Sequence, residues 1–190
     1  MARWDPGTEE RLKKAALELF YEHGYDSVTV TQIAERAGLV RRSFFRYFPD
    51  KREVLFAGSE QLPPAIAEAV LAANDSTPPL SAVLEAITKV GTLLTRHIKD
   101  ATKRRAIIDA STELQEREQT KLAAVTAAIT EALLQRHVEP QDAKMVAEIG
   151  TIVFQNAFAQ WVAANGKRDF GACIRALAAA LQLVVSATLA

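Results

Sequence analysis

One cysteine, Cys173, stands in the 190-residue chain, so no internal disulfide can form and a secreted, disulfide-stapled scaffold is not expected. Glycine is scarce, at eight residues, and aromatics make up only 7% of the chain. The 49% apolar share is dominated by alanine and leucine, set among many glutamates and glutamines. These side chains lose little freedom in a helix, and few strand formers run together, so an all-α fold is expected. The three histidines (23, 97 and 137) lie far apart, and no phosphate loop, G-x-S-x-G or C-x-x-C occurs. Neither an enzyme, nor a metal site, nor a bound cofactor is therefore expected. The stretch MARWDPGTEER carries acids and a proline where a signal peptide would need an apolar run. The uncharged tail Ala176 to Ala190 would be about 22 Å long as a helix, against roughly 30 Å of hydrocarbon. A cytoplasmic protein without membrane association is the expectation.

Net charge is also lacking, since 23 basic residues balance 23 acidic ones, but the balance is uneven along the chain. Between Arg36 and Arg52 six basic residues face one acid, Asp50. The run LVRRSFFRYFPDK, residues 39–51, also holds four of the thirteen aromatics. A local basic patch on a neutral chain points to a polyanionic partner at one place.

Helix signals around this patch are specific. Thr8 with Glu9 and Glu10 opens a first helix, Leu12, Ala15, Ala16, Leu19 and Phe20 form its apolar stripe, and Gly24 ends it. Thr29 and Gln32 fit a T-x-x-Q capping box, with Val28 able to staple onto Ile33. Gly38 stops this second helix after two turns. In the third, Val40, Phe44, Tyr47 and Phe48 fall on one side at 100° per residue, while Arg42 and Arg46 point away. Pro49 closes it, and Asp50 with Glu53 opens the next helix as an acidic capping box. Helix, short helix, glycine turn, short helix is the layout of a helix-turn-helix DNA reader.

The run TVTQIAERAGLVRRSFFRYFPDKREVLF, residues 29–56, resembles the N-terminal signature of TetR-type transcriptional regulators. The resemblance covers about a quarter of the chain in detail; it implies a three-helix DNA-binding domain, residues 1–49, followed by a helical ligand-binding and dimerisation domain, residues 50–190. Helix four, about 50–73, would link the two, and about nine helices are expected in all. Arg41, Arg42 and Ser43 occupy the first turn of the third helix, the part of a recognition helix that reaches base edges. Arg42 is assigned as base reader, because arginine can bind guanine O6 and N7 together; Arg41 and Arg46 share base and phosphate roles. Tyr47 and Lys51 are expected on phosphates, with Thr29 and Thr31 across the groove. Phe44 and Phe48 belong to the core, and Arg36 and Arg52 to the solvated surface. Two positions depart from the pattern. Phe45 replaces a frequent tyrosine, leaving only apolar contact with a thymine methyl or sugar, and Val40 replaces the Ser or Thr that caps the recognition helix. An uncapped helix should fray more without DNA.

Beyond Val54 the apolar spacing continues, with Pro63-Pro64 expected to break or kink helix four. Thr77 and Pro78 should start the next helix as cap and first residue. The basic segment from Lys99 to Arg105 reads as an interruption, and Leu114 to Arg136 as a long helix. Two final helices, from Pro140 to about Ala164 and Asp169 to about Thr188, are apolar over more than one face. That pattern suits burial on both sides, and the resemblance implies a homodimer through a four-helix bundle of this pair. Two readers would then meet a palindromic operator in double-stranded DNA. The resemblance also implies a small-molecule effector in the second domain. Phe56, Ser59, Leu62, Leu94, His97, Ile108, Val125, Phe154, Gln155 and Phe158 are candidate lining residues there, the apolar ones equally readable as plain core. The function these features lead to is a homodimeric repressor released by an apolar or amphipathic ligand. An activator of the same architecture, or a helical scaffold with a degenerate reader, stands as the alternative.

Overall fold

Alanine-rich, glycine-poor sequence gives helices throughout the residues described by the computed structural model, which are 7–94 and 98–188, apart from the side chains of 93, 94, 98, 99 and 188. Three helices come first: α1 (Gly7–His23), α2 (Val30–Arg36) and α3 (Arg41–Phe44). Two 3-10 turns, Glu53–Leu55 and Ser59–Gln61, lead to α4 (Leu62–Leu71) and α5 (Pro79–Leu94). Then follow α6 (Ile98–Asp109), α7 (Thr112–Gln135), α8 (Pro140–Ala163) and α9 (Phe170–Thr188).

The chain divides into two units that are not simple successive stretches. The first takes the residues up to Gly58 together with Thr102–Gln119; the second takes Ser59–Ala101 and the residues from Thr120 onward. The spacing of the apolar residues predicts a single helix over about 50–73. Instead the segment is broken by Gly58, whose φ of +84° is a conformation that glycine adopts at little steric cost. Pro63 and Pro64 lie in the first turn of α4. They start the helix rather than kink it, because the first-turn N–H groups lack intrahelical partners in any case. The helix α5 likewise begins one residue later than expected, at Pro79, with the Pro78 carbonyl accepting from Ala82 N–H at 3.0 Å.

In the first unit Leu12, Ala15, Ala16, Leu19 and Phe20 of α1 are buried, as their spacing predicts. They share a core with Val28, Ile33, Phe44 and Phe48, and also with Ile107, Ile108 and Leu114 from the distant segment. The basic run from Lys99 to Arg105, expected to interrupt the helices, lies within α6. Its side chains find partners that compensate for crowding like charges. Arg105 bonds Asp109 and Glu118, Lys103 sits 5.4 Å from the Tyr21 ring centroid, and Arg104 Nε donates to the Leu55 carbonyl at 2.6 Å.

The second unit buries Ile66 and Val70 of α4, Val83 and Ile87 of α5, Ile129 and Leu133 of α7, and a ring-rich face of α8 and α9. Phe154 meets Phe170 edge-on at 6.0 Å, and Phe158 lies 5.6 Å from Trp161. At the C-terminal end of α7, Arg136 ties the α4–α5 connection down. Its guanidinium donates to the carbonyls of Val70, Ala73, Asn74 and Thr77 at 3.3, 2.6, 2.9 and 3.2 Å. Val70 lies in the last turn of α4, where the final carbonyls lack intrahelical donors, and the other three follow the helix end. Asp169 caps α9 through Oδ2, which accepts from Ala172 N–H at 2.8 Å.

Candidate nucleic-acid interface

The two short helices of the reader are set by backbone chemistry that the sequence carries openly. Thr29 Oγ1 accepts from Gln32 N–H at 3.3 Å, and Gln32 Oε1 accepts from Thr29 N–H at 2.8 Å, a complete capping box. At the other end Gly38, with φ +72°, lets Leu39 N–H reach the Ala34 carbonyl at 2.8 Å and its own N–H reach Glu35 at 2.9 Å. This paired arrangement satisfies two orphan carbonyls and turns the chain sharply into α3.

The third helix is one α-turn only, Arg41–Phe44, and its N-cap is Val40, which supplies no side-chain hydrogen bond. Past Phe44 the chain continues in tighter turns, with Tyr47 and Phe48 N–H both donating to the Phe44 carbonyl at 3.0 Å. Phe44 and Phe48 are buried at 0% and 5% exposure, whereas Phe45 is 47% exposed. Arg41, Arg42 and Arg46 are exposed, as are Thr29 and Thr31; Ser43, Tyr47 and Lys51 are half-buried.

The six cations of the patch divide by what they meet. Arg36 pairs with Glu18 and Glu22 of α1 at 3.6 and 3.2 Å. Arg52 pairs with Asp50 at 2.7 Å and Glu113 at 3.3 Å. Lys51 Nζ donates to the carbonyls of Tyr25 and Val28 at 2.8 and 3.1 Å and lies 4.0 Å from the Tyr25 ring centroid. Two of its three N–H groups are thus committed to the α1–α2 connection, leaving one for a phosphate. Arg41, Arg42 and Arg46 meet no carboxylate among the described residues. The uncompensated charge of the whole stretch is therefore concentrated on the recognition turn.

What sequence reading missed is the support of this turn by residues 102–119. Glu113, at the start of α7, accepts from Arg52 Nε and from the Tyr25 hydroxyl, each at 3.3 Å. Burial and the Glu113 carboxylate together push the Tyr25 phenol pKa up, keeping it a donor. Arg117 pairs with Glu53, and Arg104 bonds Leu55 and lies 5.1 Å from the Phe56 ring. The segment Asp50–Phe56 is thus held at Arg52, Glu53, Leu55 and Phe56 by side chains at least 48 residues later in the chain. The alternating acids and bases of 102–118 are the only sequence signal, and they equally describe a solvated helix.

The expected effector-lining residues do not all come together. Ser59, Leu62, Val125, Phe154, Gln155 and Phe158 belong to the second unit. Val125 and Phe154 are buried in its core, with Leu62 and Phe158 packed against it. Phe56 and Ile108, by contrast, are buried in the core of the first unit. The side chain of Leu94, and His97 altogether, lie outside the described residues. Ser59 Oγ is buried and has no hydrogen-bond partner among the described residues.

Residues 12–57 match the profile of a family described as bacterial regulatory proteins, tetR family. The HTH-type transcriptional regulator TcmR of Streptomyces glaucescens is 44% identical over 71 residues, covering 37% of this chain and 30% of TcmR. The matched segment therefore spans under a third of that relative's length. Among solved structures, FadR of Bacillus subtilis in complex with stearoyl-CoA aligns over 88% of this chain and 94% of its own, with TM-score 0.60 and 19% identity. A complex of SmeT, from Stenotrophomonas maltophilia, with triclosan aligns over 92% and 91%, with TM-score 0.61 and 21% identity. At these identities the structural likenesses establish the fold.

Two expectations follow from the geometry. Val40→Thr restores the missing cap, whose contribution is about 0.5–2 kcal/mol; denaturant unfolding should show the variant to be the more stable, and DNA affinity should rise. Unchanged midpoint and affinity together would mean that α3 gains nothing from a cap. For Asp50, the hydrogen bond from the Arg52 side chain first, then those from Glu53 and Arg52 N–H, hold the carboxyl below its ordinary pKa. A depressed folded-state pKa contributes stability that is complete above the unfolded value, about 3.9, and is lost as pH falls through the folded value. The stability gap between wild type and Asp50→Asn should accordingly be constant from pH 7 to about pH 5 and shrink below about pH 4. A gap that stays flat down to pH 2.5 would remove this role.

Proposed function

We propose that the chain is a regulator of the tetR type, whose family profile its residues 12–57 match, and that it acts as a homodimeric transcriptional repressor, released from a palindromic operator by a small apolar or amphipathic effector. The family is one of DNA-binding regulators, not enzymes. The observation that carries the reading is the sorting of charge. Every other cation between Arg36 and Arg52 is engaged within the protein, while Arg41, Arg42 and Arg46 are exposed and meet no carboxylate among the described residues. Unneutralised arginines on a recognition turn are the groups that displace counterions from phosphate and reach base edges.

Dimerisation is supported by exposed apolar side chains on the last two helices. Met145 and Ile152 of α8 are 52% and 56% exposed, and Leu183, Val184 and Val185 of α9 are 72%, 65% and 48% exposed. An apolar face of this kind on a soluble chain marks an interaction surface. The window Phe170–Ala187 is long and apolar enough to cross a membrane by composition, longer than the tail considered from sequence. Its Arg175 and the soluble role of the DNA-reading unit favour a second copy as the cover, in the cytoplasm. Two readers on one duplex would then address half-sites about 34–36 Å apart.

For the effector, the second unit offers a ring-rich interior, and the FadR and SmeT structures hold stearoyl-CoA, which is amphipathic, and triclosan, which is largely apolar. The unpartnered Ser59 hydroxyl is a polar group such a ligand would satisfy.

Selection of duplexes from a random-sequence pool by the full chain tests the proposal. A two-fold symmetric site should emerge, and log affinity should fall linearly with log salt. The protein should elute as a dimer, and the Ile152→Glu/Val184→Glu double variant should be a folded monomer that loses most of its affinity for the selected site. No preferred sequence, a monomeric wild type, or a double variant that binds as tightly as wild type would sink the reading.

A further inference from the structure

We propose that Phe45 is a positioning residue for DNA reading: it holds the Arg41 guanidinium stacked and edge-outward, which makes Arg41, rather than Arg42, the reader of a guanine in each half-site. The inference deepens the DNA-binding reading given above and rests on it. Phe45 is a large exposed apolar side chain in a segment where exposure costs solvation, and its ring is held from behind. Phe44, fully buried, meets it edge-on at 5.6 Å and 80°. On the ring lies the Arg41 guanidinium, 5.5 Å from its centroid. A buried ring thus fixes a half-exposed one, and the half-exposed one fixes a cation. Arg42 has no such support: it meets neither ring nor carboxylate among the described residues. Arg46 lies 5.9 Å from the Tyr47 ring.

Stacking matters because arginine carries much rotamer freedom, and its planar fork matches guanine O6 and N7 only when its edge is correctly aimed. A guanidinium stacked on a ring face keeps its edge N–H groups free for that fork. Phenylalanine in place of tyrosine removes a hydroxyl that could have accepted from the guanidinium or gone to phosphate. What remains at position 45 is a flat apolar platform. Arg42, free of any platform, suits the less demanding geometry of a phosphate oxygen.

The test uses the full chain and the duplex it selects from a random pool, with every base pair of the half-site replaced in turn. Phe45→Leu keeps the apolar bulk but removes the ring, and should cost about two- to fivefold in affinity for the selected duplex. It should also flatten the preference for guanine at one position per half-site. Arg41→Gln should flatten the same position, and the double variant should lose no further discrimination. Phe45→Tyr, which restores the platform, should retain the preference. Arg42→Gln should weaken all duplexes alike and lower the salt slope by about one per subunit. Phe45 is half-exposed and Arg41 and Arg42 are exposed, so unfolding midpoints of all five variants should stay near wild type and serve as the folding control. Retained guanine preference in Phe45→Leu, or its loss in Arg42→Gln instead of Arg41→Gln, overturns the proposal while leaving the regulator reading intact. If wild type selects no sequence at all, the regulator reading fails and this one with it.

Discussion

Burial of Ile107, Ile108 and Leu114 among the N-terminal helices is the constraint on which the first unit depends. These side chains are 5%, 0% and 0% exposed, in one core with Leu12, Phe20, Ile33, Phe44 and Phe48. Each such side chain contributes roughly 1.5–3 kcal/mol when removed from water. The ion pairs beside them, Arg52–Glu113 and Arg105–Asp109 among them, are solvated and contribute about 0–1 kcal/mol each. Apolar contact therefore holds the distant segment in place, and the charged groups decide its register. Without the segment, the core of α1–α3 would lie open on one side.

The consequence is that the recognition turn is oriented by residues far away in sequence. Asp50–Phe56 follows directly on that turn, and it is gripped from Arg104, Glu113 and Arg117. The helix carrying Glu113 and Arg117 is α7, whose residues from Thr120 onward belong to the second unit. Helices α6 and α7 are shared between the units by chain continuity.

Local chemistry was legible in the sequence, and long-range partnership was not. The capping box at Thr29, the turn at Gly38, the missing cap at Val40 and the buried stripe of α1 all depend on residues within four positions of each other, and each stands where its spacing puts it. The basic run of α6 was misread because its partners, Tyr21, Leu55 and Glu118, are invisible to a local pattern. Phe56 and Ile108 were read as lining the second unit for a related reason. Periodicity says that a side chain is buried but not in which of two cores. The paired prolines of α4 posed a different ambiguity: Pro63-Pro64 fits a kink as well as a start, and the positive φ at Gly58 settles it as a start.

Charge in this protein is informative only after pairing is known. In this neutral chain Arg36 and Arg52 are neutralised by Glu18, Glu22, Asp50 and Glu113, leaving the positive field at Arg41, Arg42 and Arg46. The same reasoning makes residues 102–119 part of the reader as surely as α1–α3. Thermal unfolding of the fragment 7–58, followed by circular dichroism beside the full chain, probes this most directly. The fragment should show no cooperative transition, because its core lacks Ile107, Ile108 and Leu114. A fragment that melts cooperatively near the midpoint of the full chain would mean that the reader stands on its own and that the distant segment merely rests against it.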